Sequence, residues 1–222
     1  SHACVELVRG HFCERIRMPF YQEHFNSSNL WDVRYVYAWE EGDSTFYNTL
    51  YNQVNNPGDP NYNTAIAANY AVLAGRIDAR QTADYFLLNT YGSTWDWPGN
   101  NFAMGRERVA GPQGRFHWTV WDAEGAFGNQ TYYNKQVDYN TLLNDLIDPT
   151  GNGNGDTDLA KIFRSFLKSP QWRRLFADRV QKMMFNGGPL DDRVPTSTVR
   201  AERASLINEI TPLYRYANDS TT

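Results

Sequence analysis

Two hydrophobic periods run through the 222-residue chain. From Trp31 to Trp39 the period is two. Val33, Tyr35, Tyr37 and Trp39 share one face, Asp32, Arg34, Val36 and Ala38 the other, which predicts a strand. The same period from Phe116 through Trp118 to Val120 predicts a second strand, ending at Asp122. Residues 5–18 read as two short strands joined by a turn at Arg9-Gly10, and Phe102-Ala103-Met104 as one more. Elsewhere the period is helical. Pro19 to Phe25 predicts a turn or more of helix. After an N-cap at Asp43-Ser44, Tyr47, Leu50, Tyr51 and Val54 form one stripe, stopped by Asn55 to Pro60. A second helix is expected over 64–75. A third is capped by Asp78, carries Ala83, Phe86, Leu87, Thr90 and Tyr91 inward, and ends at Gly92. Further helices are expected at 159–167, 170–186 and 198–210, the second with Trp172, Leu175, Phe176, Val180, Met183 and Met184 as its apolar stripe. The order of elements predicts an α+β, helix-rich domain.

Composition narrows the classes. A hydrophobic fraction of 41% suffices for a core, and a net charge of −4 supplies no basic field for nucleic acid. No apolar run approaches the roughly 20 residues of a membrane span, and no leader-like segment opens the chain, so neither is expected. Seven Trp, 14 Tyr and 12 Phe suit strands and thick packing, and equally a carbohydrate-binding surface. Cys4 and Cys13 flank the Arg9-Gly10 turn, and both a cross-strand disulfide and two buried thiols are open. The Gly/Asn/Asp stretch 148–158 is a poor calcium loop, because Leu159 stands where the closing acid belongs.

The chemistry concentrates in two segments. Thr94-Trp95-Asp96-Trp97-Pro98-Gly99-Asn100-Asn101 carries an Asp and, five residues on, an Asn; Asp122 closes a strand 26 residues after Asp96. Hard oxygen ligands of this kind suit magnesium rather than zinc. Protein kinases use that Asp-to-Asn spacing, with the Asp on the acceptor hydroxyl, and the Asn and a second Asp on magnesium ions bridging the phosphates. The same stretches also read as ordinary turn and cap chemistry. A glycosidase pair of Asp122 and Glu124 with Asp96 ranks behind the kinase pattern as a reading of the same carboxylates. His117 reads as a solvent-side strand residue, and Arg173, Arg174 and Arg179 as the solvated face of a helix.

The blocks Asp84-Tyr85-Phe86-Leu87-Leu88-Asn89, Asp96-Trp97-Pro98-Gly99-Asn100-Asn101 and Phe116-His117-Trp118-Thr119-Val120-Trp121-Asp122 through Phe127-Gly128 resemble the spore coat protein H (CotH) kinase family. The likeness continues upstream at Glu14-Arg15 and Trp31-Asp32-Val33, and downstream at Trp172 to Arg179, covering about residues 10 to 210. It implies an atypical protein-kinase-like fold, with residues 1–40 a small-lobe remnant and 41–215 the large lobe of one domain. It implies ATP and Mg2+ or Mn2+ as cofactors, and a Ser-rich coat or surface protein as the phosphorylated partner. Extracytoplasmic placement is the corresponding expectation. By position, Asp96 would be the catalytic aspartate, Asn101 and Asp122 the metal ligands, and Glu14 a nucleotide-pocket residue.

The chain departs from the kinase pattern in having no Gly-x-Gly-x-x-Gly loop and no lysine before Lys135. The expectation is therefore a chain that begins inside the small lobe. Its alternative is a non-catalytic surface or coat interaction module on the same scaffold; a carbohydrate-active or carbohydrate-binding domain is the third reading.

Overall fold

The computed structural model describes residues 5–7, 10–12, 15–123, 125–127, 135, 139–148, 150 and 155–191. The contacts divide it into two compact units, residues 1–176 and 177–222.

The first unit is α+β. Its main sheet is antiparallel, with β3 (Trp31–Tyr35), β4 (Ala38–Glu41), β5 (Phe102–Glu107) and β6 (His117–Val120) in the order β4-β3-β5-β6. A separate hairpin pairs β1 (Val5–Leu7) with β2 (Gly10–Phe12), placing Leu7 opposite Gly10 as the expected turn requires. Cys4 and Cys13 lie outside the described residues.

Each face of the sheet is covered. On one side α1 (Met18–His24) lays Tyr21 on Trp31, ring centroids 5.1 Å apart, beside Ile16, Val33 and Ala103. On the other lie α2 (Thr45–Asn55), α3 (Ala67–Arg76), α4 (Ala79–Gly92), α5 (Asp158–Lys168) and the start of α6 (Pro170–Met184). Leu50, Leu73, Phe86, Phe163, Phe166 and Trp172 are fully buried in this larger core.

The helix starts follow local chemistry. Asp78 Oδ1 accepts from the amides of Arg80 and Gln81 at 3.0 and 2.8 Å, and Thr157 Oγ1 accepts from Ala160 N at 3.3 Å. Ser44 makes no side-chain cap; Asp43 Oδ1 instead accepts from Thr45 N. The α4 stripe is as expected at Ala83, Phe86 and Leu87, whereas Thr90 and Tyr91 are half-buried and Thr82 and Tyr85 are buried beside them. On α6 only Trp172 is fully buried.

The expected single strand 31–39 is a hairpin. Val36 takes φ +50° and turns the chain, leaving Tyr37 66% exposed and pairing Tyr35 with Ala38. The face of β3 that carries Asp32 and Arg34 is buried too. Asp32 meets Arg106 Nη1 at 2.8 Å and Arg108 Nε at 2.6 Å. Arg34 meets Asp158 Oδ2 at 3.1 Å and lies 3.9 Å over the Tyr47 ring. Charge pairing, rather than exposure, satisfies these side chains. His117 is half-buried against Phe25, centroids 4.6 Å apart, and burial holds its imidazole below the ordinary value. Arg173 and Arg174 are exposed as expected, with Arg173 donating to the Leu167 and Lys168 carbonyls at the end of α5.

One element has no counterpart in the periodicity, a π-helical turn at Leu142–Ile147. Of the second unit, residues 177–191 are described: α6 finishes and a turn follows. Leu190 N bonds Met183 O, and Gly187 N bonds Asp191 Oδ2. The helix expected at 198–210 lies outside the described residues. No described helix is long and apolar enough to cross a membrane.

Candidate active site

The sheet sets the two chemical segments side by side. β5 and β6 pair with Phe102 opposite Val120, so Asn101 and Trp121 leave the ladder together and Asp122 follows by one residue. Helix α4 fixes the outer edge. Gln81 imitates a strand partner, its Nε2 donating to Trp118 O at 2.6 Å and its Oε1 accepting from Trp118 N at 2.7 Å. The loop 93–101 therefore runs from α4 to β5, and β6, paired with β5, is bonded back to the first turn of that helix.

Inside that loop Trp97 is the anchor. It is fully buried against Phe86, and its indole N–H donates to Tyr85 Oη at 3.0 Å. Burial pushes the Tyr85 phenol well above its usual range, so it stays protonated. The Trp97–Pro98 peptide bond is cis. Tyr37, at the tip of the β3–β4 hairpin, donates to Gly99 O at 2.8 Å and steadies the far side.

The loops 93–101 and 121–127 are then stitched directly. Trp95 N donates to Gly125 O at 3.2 Å, and Phe127 N to Gly92 O at 2.6 Å. Asn101 completes the join, its amide Nδ2 donating to Asp122 O at 3.2 Å and more weakly to Trp95 O at 3.5 Å. With its N–H groups so used, the atom Asn101 presents to a cation is the carbonyl Oδ1. Asp96 is held by Asn100, whose Nδ2 donates to Oδ2 at 2.8 Å and whose backbone N donates to Asp96 O at 2.7 Å. Asp122 is exposed.

Asp96, at φ +59°, and Asn101 and Asp122, both at +53°, all occupy the left-handed region. Asp and Asn tolerate it better than other side chains, by bonding to nearby backbone. Of the eight non-glycine residues with positive φ among the described residues, five fall in these two loops, with Ser93 and Phe127. Local strain of this kind gathers at functional sites.

The structure thus brings the loop that carries Asp96 and Asn101 against the segment that carries Asp122; Glu14 and Glu124 lie outside the described residues. The donor set fits magnesium, which takes one or two carboxylates and completes its shell with water and substrate phosphates. Among the described residues no group of three or more His, Cys, Asp or Glu is placed to hold a metal.

Two functional neighbours escaped the sequence. Lys135, 8% exposed, donates to Trp97 O at 2.5 Å and Thr94 O at 3.1 Å, and pairs with Asp145 Oδ2 at 2.8 Å. Burial lowers its pKa, while Asp145 and, more distantly, Asp96 oppose the shift. Thr141 Oγ1 lies 3.0 Å from Ser93 Oγ at the other end of the loop. The one available signal was that Lys135 is the first lysine in the chain.

Comparison with curated proteins and with solved structures finds no match. The family model for CotH kinase protein matches residues 14–210, which include the whole of both loops. The chain belongs to the CotH kinase protein family.

Proposed function

We propose that this domain transfers the terminal phosphoryl group of ATP to a Ser or Thr hydroxyl of a coat or surface protein, with magnesium or manganese as the ion. The observation that carries this reading is the Asn101 side chain, which joins the Asp96 loop to the Asp122 backbone and leaves its own oxygen for a cation.

Asp96, steadied by Asn100, orients the acceptor hydroxyl and takes its proton. Asn101 Oδ1 and the Asp122 carboxylate would hold the ion, which supplies charge neutralisation on the phosphate oxygens. The buried Trp97 and the loop-to-loop bonds fix these groups beforehand, so little reorganisation accompanies the transfer. Glu14, the first residue of the family match, is the candidate for the nucleotide pocket.

One observation favours a second reading, a non-catalytic interaction module. The first lysine of the chain is committed inside the Asp96 loop and is not available to grip phosphates. Incubating the full-length protein with γ-labelled ATP, Mg2+ or Mn2+ and a Ser-rich acceptor decides between them. Transfer that disappears in Asp96→Asn and Asp122→Asn supports the kinase. No labelling by the wild type, with nucleotide binding indifferent to Asp122→Ala, supports the module.

A further inference from the structure

Lys135 is 13 or more residues from Asp96, Asn101 and Asp122 in the chain, yet its ammonium is a buried polar anchor of the Asp96 loop. An ammonium has three protons. Here two of them go to Thr94 O and Trp97 O at 3.1 and 2.5 Å, and the charge is paired with Asp145 Oδ2 at 2.8 Å. The two carbonyls flank Asp96 in the chain, one before it and one after. The carboxylate partner is itself fixed: Asp145 is fully buried on the π-helical turn, and Tyr139 Oη donates to its Oδ1 at 2.9 Å.

This geometry argues against a direct role with phosphate, because the ammonium is turned to two carbonyls of the loop and its charge is paired with Asp145 inside the protein. It supports an indirect one. A chain at positive φ returns to a commoner conformation unless its surroundings hold it, and Asp96 at φ +59° is pinned on both sides by the same charged group. We propose that Lys135, held by Asp145, is a positioning residue that keeps the Asp96 loop in its left-handed, reaction-ready form.

The test uses the full chain with Lys135→Met, and Asp145→Asn as the milder variant that carries the same test should the first not fold. Amide hydrogen exchange, read without nucleotide, is the primary measurement. Exchange across 94–101 should accelerate by about tenfold or more in Lys135→Met, while β3 and the middle of α4 change much less. Asp145→Asn, which keeps an acceptor but loses the charge, should give a smaller acceleration in the same segment. A uniform rise across the chain, or no rise in 94–101, overturns the proposal, since a merely structural lysine would loosen everything alike. The kinetic arm rests on the proposed phosphotransfer: kcat should fall by up to about a hundredfold, as small misplacements of reacting groups do, with the KM for ATP nearly unchanged. A fall carried by KM instead overturns it. If the wild type transfers no phosphate, the kinase reading fails on its own, and the exchange experiment still decides the role of Lys135.

Discussion

Replacing Asn101 separates the left-handed backbone it holds from the cation ligand it is proposed to be. The side chain is 8% exposed and donates one good hydrogen bond, to Asp122 O, and one long one, to Trp95 O. Losing the good bond costs about 1 kcal/mol. Glycine accepts φ +53° without strain, but its looser unfolded chain costs a further ~0.5 kcal/mol or more. Alanine avoids that entropy and instead meets the left-handed penalty of roughly 1–2 kcal/mol. Asn101→Gly should therefore lower stability by about 1.5–2 kcal/mol and Asn101→Ala by about 2–3 kcal/mol. Both remove the cation oxygen equally.

The assay is urea unfolding with and without Mg2+ and ATP. A ligand that binds only the folded state adds stability by mass action, so wild type should gain from Mg2+ with nucleotide, and both variants should gain less. Asn101→Asp sharpens the contrast. It turns an oxygen towards two carbonyls and should be the least stable without metal, yet it keeps a ligand and should recover most when Mg2+ is added. Glycine and alanine variants of equal stability would refute the backbone half of the argument. A glycine variant that gains as much from Mg2+ and ATP as wild type would refute the ligand half.

Gly105 sits under Tyr21, where an added Cβ would lie 2.6 Å from ring atoms. Because that ring is stacked on Trp31 and its hydroxyl is bonded to Thr119, Gly105→Ala should cost about 1–3 kcal/mol in urea unfolding; an unchanged midpoint would show that the ring can move. Asp32→Asn strips the buried partner from Arg106 and weakens Arg108, and should cost about 3 kcal/mol or more, read the same way, with a neutral result refuting the buried pair's role. His117 has its folded pKa lowered below 6.5 by burial, so the unfolded chain takes up its proton first. The stability it contributes is present above 6.5 and is lost as pH falls through its lowered folded value. Unfolding midpoints measured from pH 8 to pH 5 should fall less steeply in His117→Gln than in wild type, and parallel curves would contradict this.

Local signals made much of this architecture legible. The Asp78 cap, the Ala83-Phe86-Leu87 stripe and the Phe116-to-Val120 alternation each act within a few residues, and each element was found where those signals put it. The hairpin at Val36 was not legible, because a β-branched residue is a poor candidate for φ +50° and no Gly or Asn marks the turn. Nor was the burial of Asp32 and Arg34. Alternation assigns polar residues to solvent, whereas partners 74 and 124 residues away, Arg106 and Asp158, make a buried face of them. Of the candidate site, spacing and family likeness pointed to Asp96, Asn101 and Asp122, whose two loops the fold sets side by side. Lys135 carries no periodic or motif signal, since its meaning depends on which carbonyls the fold brings to it.

Asp96, Asn101 and Asp122 share a backbone state that none of them imposes alone. Asx side chains tolerate positive φ, but tolerance does not select it. Selection comes from outside the loops: Trp97 buried under Phe86, Tyr37 on Gly99 O, Lys135 on Thr94 and Trp97 O, and Gln81 locking the β6 edge to α4. These contacts come from three separate stretches of chain, helix α4, the β3–β4 hairpin and Lys135, and converge on two short segments. Loops of that length would otherwise relax, because left-handed residues each cost about 1 kcal/mol or more. So much surrounding structure held against the local preference is what a preorganised charged site requires, since groups that must meet phosphate and metal cannot reorganise cheaply during the reaction. A turn that served only to connect α4 to β5 would not need it.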